Sequence, residues 1–427
     1  MRYFARPMRI AFVAASLSLA VLAAGWGGSA PVAQQKSCAF RLVAAKEWLM
    51  YPKDSIVELT DGSIVVGATH QHHGTVSLVL RRVTQDCQVI RAFGNNGTAS
   101  VATRGSGGGE VDVIHALPNG SLLVAGSAGG HVELVGRLLP NGQLDHSFGT
   151  DGWTRFTPHV KSPGMGTGRI ATSLAVDPSG SIFLGGNDET AHCCTVDYVS
   201  KLNVNGGLDR TFGNGGTVIL PNIAGSYVSD VFANPDGTIY EFAMYEQSGC
   251  AVPVVDRVLP DGSLDSHFDV AMSRTFRRVQ RAPLRFTPTL VPGQGGAFAL
   301  IGGLDKTCAP PSRHQPSGGA VVRVTPAGRL VGEQRFAAPN YAFDGPAAIG
   351  LPSGAIVAAA GLDDSRYRLK SVIVRWFAND GASTGINGIP RSSFGRAVNL
   401  DGLLPASDGG AWLVMSSRRT FRLILIR

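Results

Sequence analysis

The chain has 427 residues, 44% of them hydrophobic and only 16% charged, with 55 glycines and 24 prolines. That composition excludes a disordered or coiled-coil polypeptide and suits a glycine-punctuated all-β chain long enough for a large core. The formal charge of +7 is too small to point to nucleic acid, because three of those positive charges, Arg2, Arg6 and Arg9, lie in the first nine residues.

Residues 1–9 carry those arginines and no acid, and residues 10–25, IAFVAASLSLAVLAAG, are apolar apart from two serines. A basic stretch followed by a short apolar run is the pattern of a secretory leader, and it is too short for a membrane span of about 20 residues. Cleavage is expected between Ala24 and Ala33, so residues 1–33 read as a signal peptide and linker. The mature chain is expected to be exported, periplasmic or extracellular, monomeric and without a membrane span. Lys36 and Ser37 before Cys38 disfavour a lipid anchor there. Residues 38–46, CAFRLVAAK, precede the first repeat and read as an outer strand.

From residue 48 onward one pattern recurs, seen best in 111–156. Apolar VDVIHAL meets Pro118-Asn119-Gly120, then SLLVAG; HVELVGRL meets Pro140-Asn141-Gly142, then LDHSFGTDG and WTRF. Asn-Gly between alternating apolar runs predicts tight hairpins with type I′ turns, so one unit reads as four short antiparallel strands, A to D. The glycine closing the A–B turn recurs at Gly62, Gly120, Gly180, Gly237, Gly296, Gly354 and Gly409, spaced by 55 to 60 residues. Four-stranded units at such a period cannot bury both faces alone, and a ring of stacked blades solves that. The reading is an all-β, seven-bladed β-propeller over 38–427.

The units resemble the delta-60 repeat family, clearly in GQLDHSFGTDG and GGLDRTFGNGG, partly in RAFGNNG and GSLDSHFD, and faintly thereafter. The resemblance implies a repeat propeller and little about activity. Because the chain stops at Arg427 after strand C of the seventh unit, residues 38–46 are expected to complete that blade and close the ring. Strand C ends in Arg82, Arg137, Lys201, Arg257, Arg323, Arg375 and Arg427. Each is expected to tie its own C–D turn or the neighbouring blade, not to form an anion-binding ring.

Strand parity puts the short A–B and C–D turns on one rim and the B–C and D–A connections, read as long and irregular, on the other. Functional residues on repeat scaffolds concentrate on such loops. There lie His70, His72 and His73, a candidate zinc or copper set, although no CxxC or HExxH spacing accompanies them. Cys38, Cys87, Cys193, Cys194, Cys250 and Cys308 form an even set, which in an exported protein favours disulfides over metal binding.

Asp54, Asp112 and Asp401 each precede their turn glycine by eight residues, with Thr172 at the same offset and Asp230 one residue later. On strand A these would form an arc at the channel mouth, able to hold Ca²⁺ or another polar ligand, to act on a glycosidic bond, or only to cap local turns. The basic run 274–285 reads as an exposed connection. No GxSxG, Walker loop or dinucleotide fingerprint is present. The sequence therefore favours a non-catalytic exported scaffold offering its loop rim to a protein or glycan. A carbohydrate-active propeller using the acidic arc and a metal-dependent enzyme using the histidines are the rivals.

Overall fold

A computed structural model describes residues 37–41, 47–48, 55–72, 75–102, 110–127, 132–160, 168–189, 195–221, 226–247, 250–279, 285–305, 318–336, 342–363, 369–394, 399–417 and 420–427. Residues 1–33, read from the sequence as a leader, and residues 42–46 lie outside them.

Seven antiparallel sheets follow one another along the chain as the blades of a propeller. A short strand, β1 (Ser37–Arg41), precedes them. Blade 1 contains β2 (Glu47–Trp48), β3 (Ile56–Glu58), β4 (Ile64–His72), β5 (Thr75–Val83) and β6 (Thr98–Ala102). Blade 2 contains β7 (Glu110–Ala116), β8 (Leu122–Ser127), β9 (Glu133–Leu138) and β10 (Trp153–Phe156), and blade 3 contains β11 (Gly168–Val176), β12 (Ile182–Glu189), β13 (Thr195–Leu202) and β14 (Thr217–Ile219). Blade 4 has only β15 (Ser226–Ala233), β16 (Ile239–Gln247) and β17 (Cys250–Val258), followed by a helix, α1 (Ser266–Val279). Blade 5 has β18 (Arg285–Pro292), β19 (Phe298–Asp305), β20 (Gly318–Val324) and β21 (Leu330–Phe336). Blade 6 has β22 (Ala342–Gly350), β23 (Ile356–Asp363), β24 (Leu369–Phe377) and β25 (Ser383–Pro390), and blade 7 has β26 (Asn399–Pro405), β27 (Ala411–Ser417) and β28 (Thr420–Ile426).

Strand β1 pairs antiparallel with β28, Cys38 opposite Leu423, so the last sheet has the order β1, β28, β27, β26. Among the described residues this pairing runs from Ser37 to Arg41. The first strands of successive blades neighbour one another, β3 beside β7, β7 beside β11, β11 beside β15, β18 beside β22, β22 beside β26 and β26 beside β3. Strand A therefore rings the axis.

Each seam between blades is filled by one apolar cluster. Val65, Leu80 and Phe93 meet Ile114, Val124 and Trp153 between blades 1 and 2; Val135 and Phe148 meet Leu174 and Leu184 between 2 and 3. Ile56 and Val83 meet Trp412 and Leu425 where blade 7 returns to blade 1. Both faces of every sheet are thereby buried, which a lone four-stranded sheet cannot achieve.

All seven turn glycines have left-handed φ, from +76° to +86°. Six of the turns are not type I′; blade 5 is the exception, where Gly295 (φ +61°) and Gly296 (φ +76°) are both left-handed and Ala297 N–H donates to the Gln294 carbonyl. In the Leu117–Ser121 turn only Gly120 has positive φ; its N–H donates to the Leu117 carbonyl, and Leu117 N–H pairs with the Ser121 carbonyl. That is a type I turn followed by a left-handed glycine, and Pro118, with φ fixed near −65°, excludes the mirror-image turn.

The Leu-Asp-x-x-Phe-Gly segment couples one blade to the next. Phe93, Phe148, Phe212 and Phe268 are each at most 1% exposed and plug the seam ahead of their own blade. After three of them a left-handed glycine donates its N–H across the seam, Gly94 to Asn141 O, Gly149 to Asn205 O and Gly213 to Asp261 O, at 2.6–2.9 Å. The strand-C cation locks the same corner. Arg137 lies 2.7 Å from Asp145 and donates to the Val204 carbonyl of blade 3, and Lys201 pairs with Asp209 at 3.2 Å. Elsewhere the cation reaches the A–B turn of its own blade instead of the expected C–D turn, Arg82 to Asp61 and Arg427 to Asp408, and Arg257 takes both Asp236 of the A–B turn and Asp265. Arg323 donates to the Ala378 carbonyl of blade 6, and Arg375 lies over the Phe336 ring of blade 5. Burial raises the Asp145 carboxyl, but hydrogen bonds from Ser147 and Arg137 outweigh it and hold the group below its ordinary range.

Blade 4 departs from the repeat because Asp269 stands where the other couplers have glycine. Without a left-handed turn the chain continues as α1; Asp265 Oδ1 caps it, accepting from His267 and Phe268 N–H. Phe268, Met272, Thr275 and Val279 form its buried face, and Thr275 Oγ1 donates to Gly328 O of blade 5. The basic run 274–285 is thus in part the last turns of a helix, not a connection.

Where a turn glycine packs against a coupler's backbone, substitution has a measurable cost. A Cβ at Gly262 (φ +87°) would lie 2.3 Å from Gly213 N, whereas one at Gly409 (φ +86°) meets nothing within 4 Å. Gly262→Ala is expected to lower unfolding free energy by about 2–3 kcal/mol and Gly409→Ala by about 1 kcal/mol, read from denaturant midpoints.

Candidate functional site: polar bulges at the channel mouth

Strand A of blades 2, 3, 4 and 7 carries one extra residue near its loop-rim end. In blade 2 Val111 and Val113 pair with the consecutive residues Gly126 and Ala125, leaving Asp112 as the bulge. The same slip isolates Thr172 between Ala171 and Ser173, Ser229 between Val228 and Asp230, and Asp401 between Leu400 and Gly402. A bulge re-aims a side chain and bends its strand, and here it recurs at the same distance from the turn glycine in four blades. Asp112 and Asp401 hold equivalent bulge positions. Asp230 does not: it takes a ladder position opposite Phe242, so the eight-residue offset belongs to Ser229. Asp54 lies outside the described residues.

Asp112 is only 4% exposed. Asp401 is partly buried; it accepts a hydrogen bond from Ser416 Oγ of strand B at 3.0 Å, and its Oδ2 has no partner among the described residues. Burial outweighs the Ser416 hydrogen bond and pushes the Asp401 carboxyl up to about 6.

The loop rim is less elaborate than its composition suggests. Strand β4 runs through His70, opposite Ser77, to His72, opposite Thr75, so these two histidines lie in a hairpin and not in a long loop; His73 lies outside the described residues. Cys250 likewise opens β17 opposite Gln247. Only two residues separate strands B and C in blades 1, 4 and 7, while blade 5 has twelve, 306–317. Cys38 is in β1, and Cys87, with φ +65°, packs against the blade 7–blade 1 cluster that contains Leu423, the strand partner of Cys38. Cys193, Cys194 and Cys308 lie outside the described residues. Among those described, no three His, Cys, Asp or Glu side chains converge as a metal cage.

A second set of acids lies inside the ring, at the seam between blades 3 and 4. Glu241 and Asp256 are register partners on adjacent strands and share the face turned to blade 3, since Ile239 and Val258 on that parity join the blade 3–blade 4 cluster. Glu241 is 1% exposed and Asp256 7% exposed. Opposite them, Asp197 shares its face with Val199 of the same cluster and accepts from Asn187 Nδ2. Asp269 of α1 flanks Asp256. Burial, then the charges of Asp256 and Asp197, pushes Glu241 well up; burial, then Asp269 and Asp197, pushes Asp256 up to about 7. One seam earlier, Tyr198 OH donates to the fully buried Glu133. The sequence signal for these groups is a single acid inside an apolar strand run, as in YEFAM, VVDRV and HVELV.

The fold and these sites define the chain as a seven-bladed propeller with small four-stranded blades. A family model described as a domain of unknown function with a β-propeller fold matches residues 117–148, the A–B turn through the Phe148 plug of blade 2. The chain is similar to the crystal structure of the polysaccharide lyase Uly1, with 10% identity, TM-score 0.51, and 88% of this chain and 89% of that one covered. It is also similar to the α-L-arabinofuranosidase Arb93A from Fusarium graminearum (10% identity, TM-score 0.45, covering 90% and 96%). The β-propeller domain of the trilobed protease from Pyrococcus furiosus aligns at 8% identity, TM-score 0.47, covering 90% and 94%. No curated protein sequence matches. Among the described residues no helix is long and apolar enough to cross a membrane.

Because the Asp401 carboxyl rises from 3.8 unfolded to about 6 folded, the fold holds its proton more tightly, and stability from this group is lost as pH climbs through that interval. Asp401→Asn is expected to reduce the fall in the denaturant midpoint between pH 4 and pH 7; an unchanged pH profile counts against the assignment.

Proposed function

We propose that the protein is an exported, non-catalytic propeller that binds a glycan at the loop-rim mouth of its channel. The observation that carries this reading is the recurrence of a polar bulge residue, Asp112, Thr172, Ser229 and Asp401, at one level of strand A in four blades. Asp, Thr and Ser recurring at one level of strand A suit the hydroxyl groups of a sugar chain, and separate blades address successive positions of it. Export rests on the leader at residues 1–33, and the six cysteines belong to disulfides in the oxidising compartment it leads to. Unfolded, unreduced protein is expected to expose fewer than four reactive thiols.

A hydrolytic reading has one observation in its favour: Asp401, pushed up to about 6, retains the proton that a general acid needs. A second, ionised carboxylate about 5–10 Å away would be required as its partner. Ca²⁺ held by Asp54, Asp112, Asp230 and Asp401 is the cofactor reading of the same arc, and a metal held by His70, His72 and His73 is the remaining one.

A glycan array probed with the purified mature chain tests the proposal. The expected outcome is retention of a defined glycan class, weakened at least tenfold in the variant combining Asp112→Asn with Asp401→Asn. No retention, or retention indifferent to both changes, removes it. Release of reducing ends by the wild type, lost in Asp401→Asn, would replace it with hydrolysis. Heat on Ca²⁺ titration that vanishes in the double variant would identify the cation.

A further inference from the structure

The carboxyls between blades 3 and 4 are not used by the channel mouth, and they sit where a propeller ordinarily places apolar side chains. Burying two adjacent carboxylates without a counter-charge costs several kcal/mol per ion, so some species must neutralise them. Among the described residues no cation pairs with either carboxylate. From blade 3, β12 contributes Asn187, whose amide is spent on Asp197; β11 contributes Ser173, whose Oγ accepts from Val231 N–H; and Lys201 of β13 is drawn away to Asp209. From blade 4, β15 places Val231 in register with Glu241. Arg257 lies on the reverse face of β17, paired with Asp236 and Asp265. From α1 and its cap come Asp269 and Asp265, while Arg274, Arg277 and Arg278 lie exposed on the helix. Glu241 Oε1 has no hydrogen-bond partner among the described residues. Among the described residues no three His, Cys, Asp or Glu side chains converge as a metal cage, and protons are the neutralising species that the carboxyls themselves can hold.

We infer that the seam between blades 3 and 4 is a proton-operated latch: Glu241 and Asp256, facing Asp197 across the seam, hold the two blades together while the group retains protons, and the seam loosens when they leave.

The sign follows from linkage. Carboxyls whose protons are held more tightly in the folded chain stabilise it fully below the unfolded value of 3.8–4.5. That contribution declines as pH rises through the folded value, about 7 for Asp256, with Glu241 also held well above its ordinary range by burial. Each retained proton changes the local opening constant by about tenfold per pH unit in that window. The consequence is a propeller whose ring is tight in mildly acidic surroundings and opens at one defined seam in alkaline ones.

Amide hydrogen exchange on the full chain, normalised for the intrinsic pH dependence of exchange, tests this at pH 6 and pH 9. Peptides from β13, β16 and β17 are expected to lose at least about tenfold protection at pH 9, with β23 and β24 of blade 6 unchanged. Glu241→Gln is expected to abolish the loss; if that variant does not fold, Asp256→Asn is read in the same peptides. Asp401→Asn, distant from the seam, is expected to leave the loss intact. Equal protection at both pH values, or the same loss in the seam variants, overturns the latch. So does restoration of protection at pH 9 by 1 mM Ca²⁺, which would make the seam a cation site.

Discussion

The contact on which the ring depends is a phenylalanine pressed into the gap ahead of its own blade, with a left-handed glycine behind it hydrogen-bonding to the next blade's turn. Phe148 and Gly149 do this for blades 2 and 3, and Phe212 and Gly213 for blades 3 and 4. Burying one such ring is worth about 2–3 kcal/mol, but its larger effect is geometric. The Phe–Gly corner fixes distance and angle between blades at once, and the Arg137–Asp145 pair holds the corner against its own strand. Repetition of a fixed rotation closes a ring.

That dependence explains blade 4. Replacing the coupler glycine with Asp269 removes the left-handed turn, yet Phe268 still enters its seam, stacked on Tyr240 at 5.3 Å. The plug is retained while the strand after it becomes a helix, and the helix meets blade 5 through Thr275 and Gly328. Helix and outer strand are interchangeable there because both present one apolar face to the same gap. The substitution also brings Asp269 beside Asp256, adding charge to a seam that already holds Asp197 and Glu241.

The channel mouth follows a different logic. Bulges at Asp112, Thr172, Ser229 and Asp401 interrupt ladders that are otherwise regular, and the interruption lies at the loop-rim end, away from the couplers. Blade-to-blade packing is therefore decoupled from whatever the mouth contacts. Blade 5 has an uninterrupted register along β18 and β19, so the arc of bulges is incomplete. A ligand reading this arc meets an asymmetric surface despite the repeated scaffold.

The sequence by itself determined the number of blades, the A-to-C strand order within each and the glycine of every A–B turn. Those features are local: a left-handed glycine, a proline and an alternating run act over fewer than ten residues, and each recurs often enough to be read. Only the tertiary structure decided the rest. The type I turn at Pro118-Asn119 resembles its mirror image in residue choice and differs in backbone φ. The displacement of Asp230 by Ser229 hangs on a one-residue slip in a ladder whose partner strand sets the count. His70 and His72 pass from loop to strand because β5 offers them partners. The facing of Glu241 and Asp256 toward Asp197 depends on the parity of two strands in one blade and on which blade stands opposite, and no stretch of chain carries both.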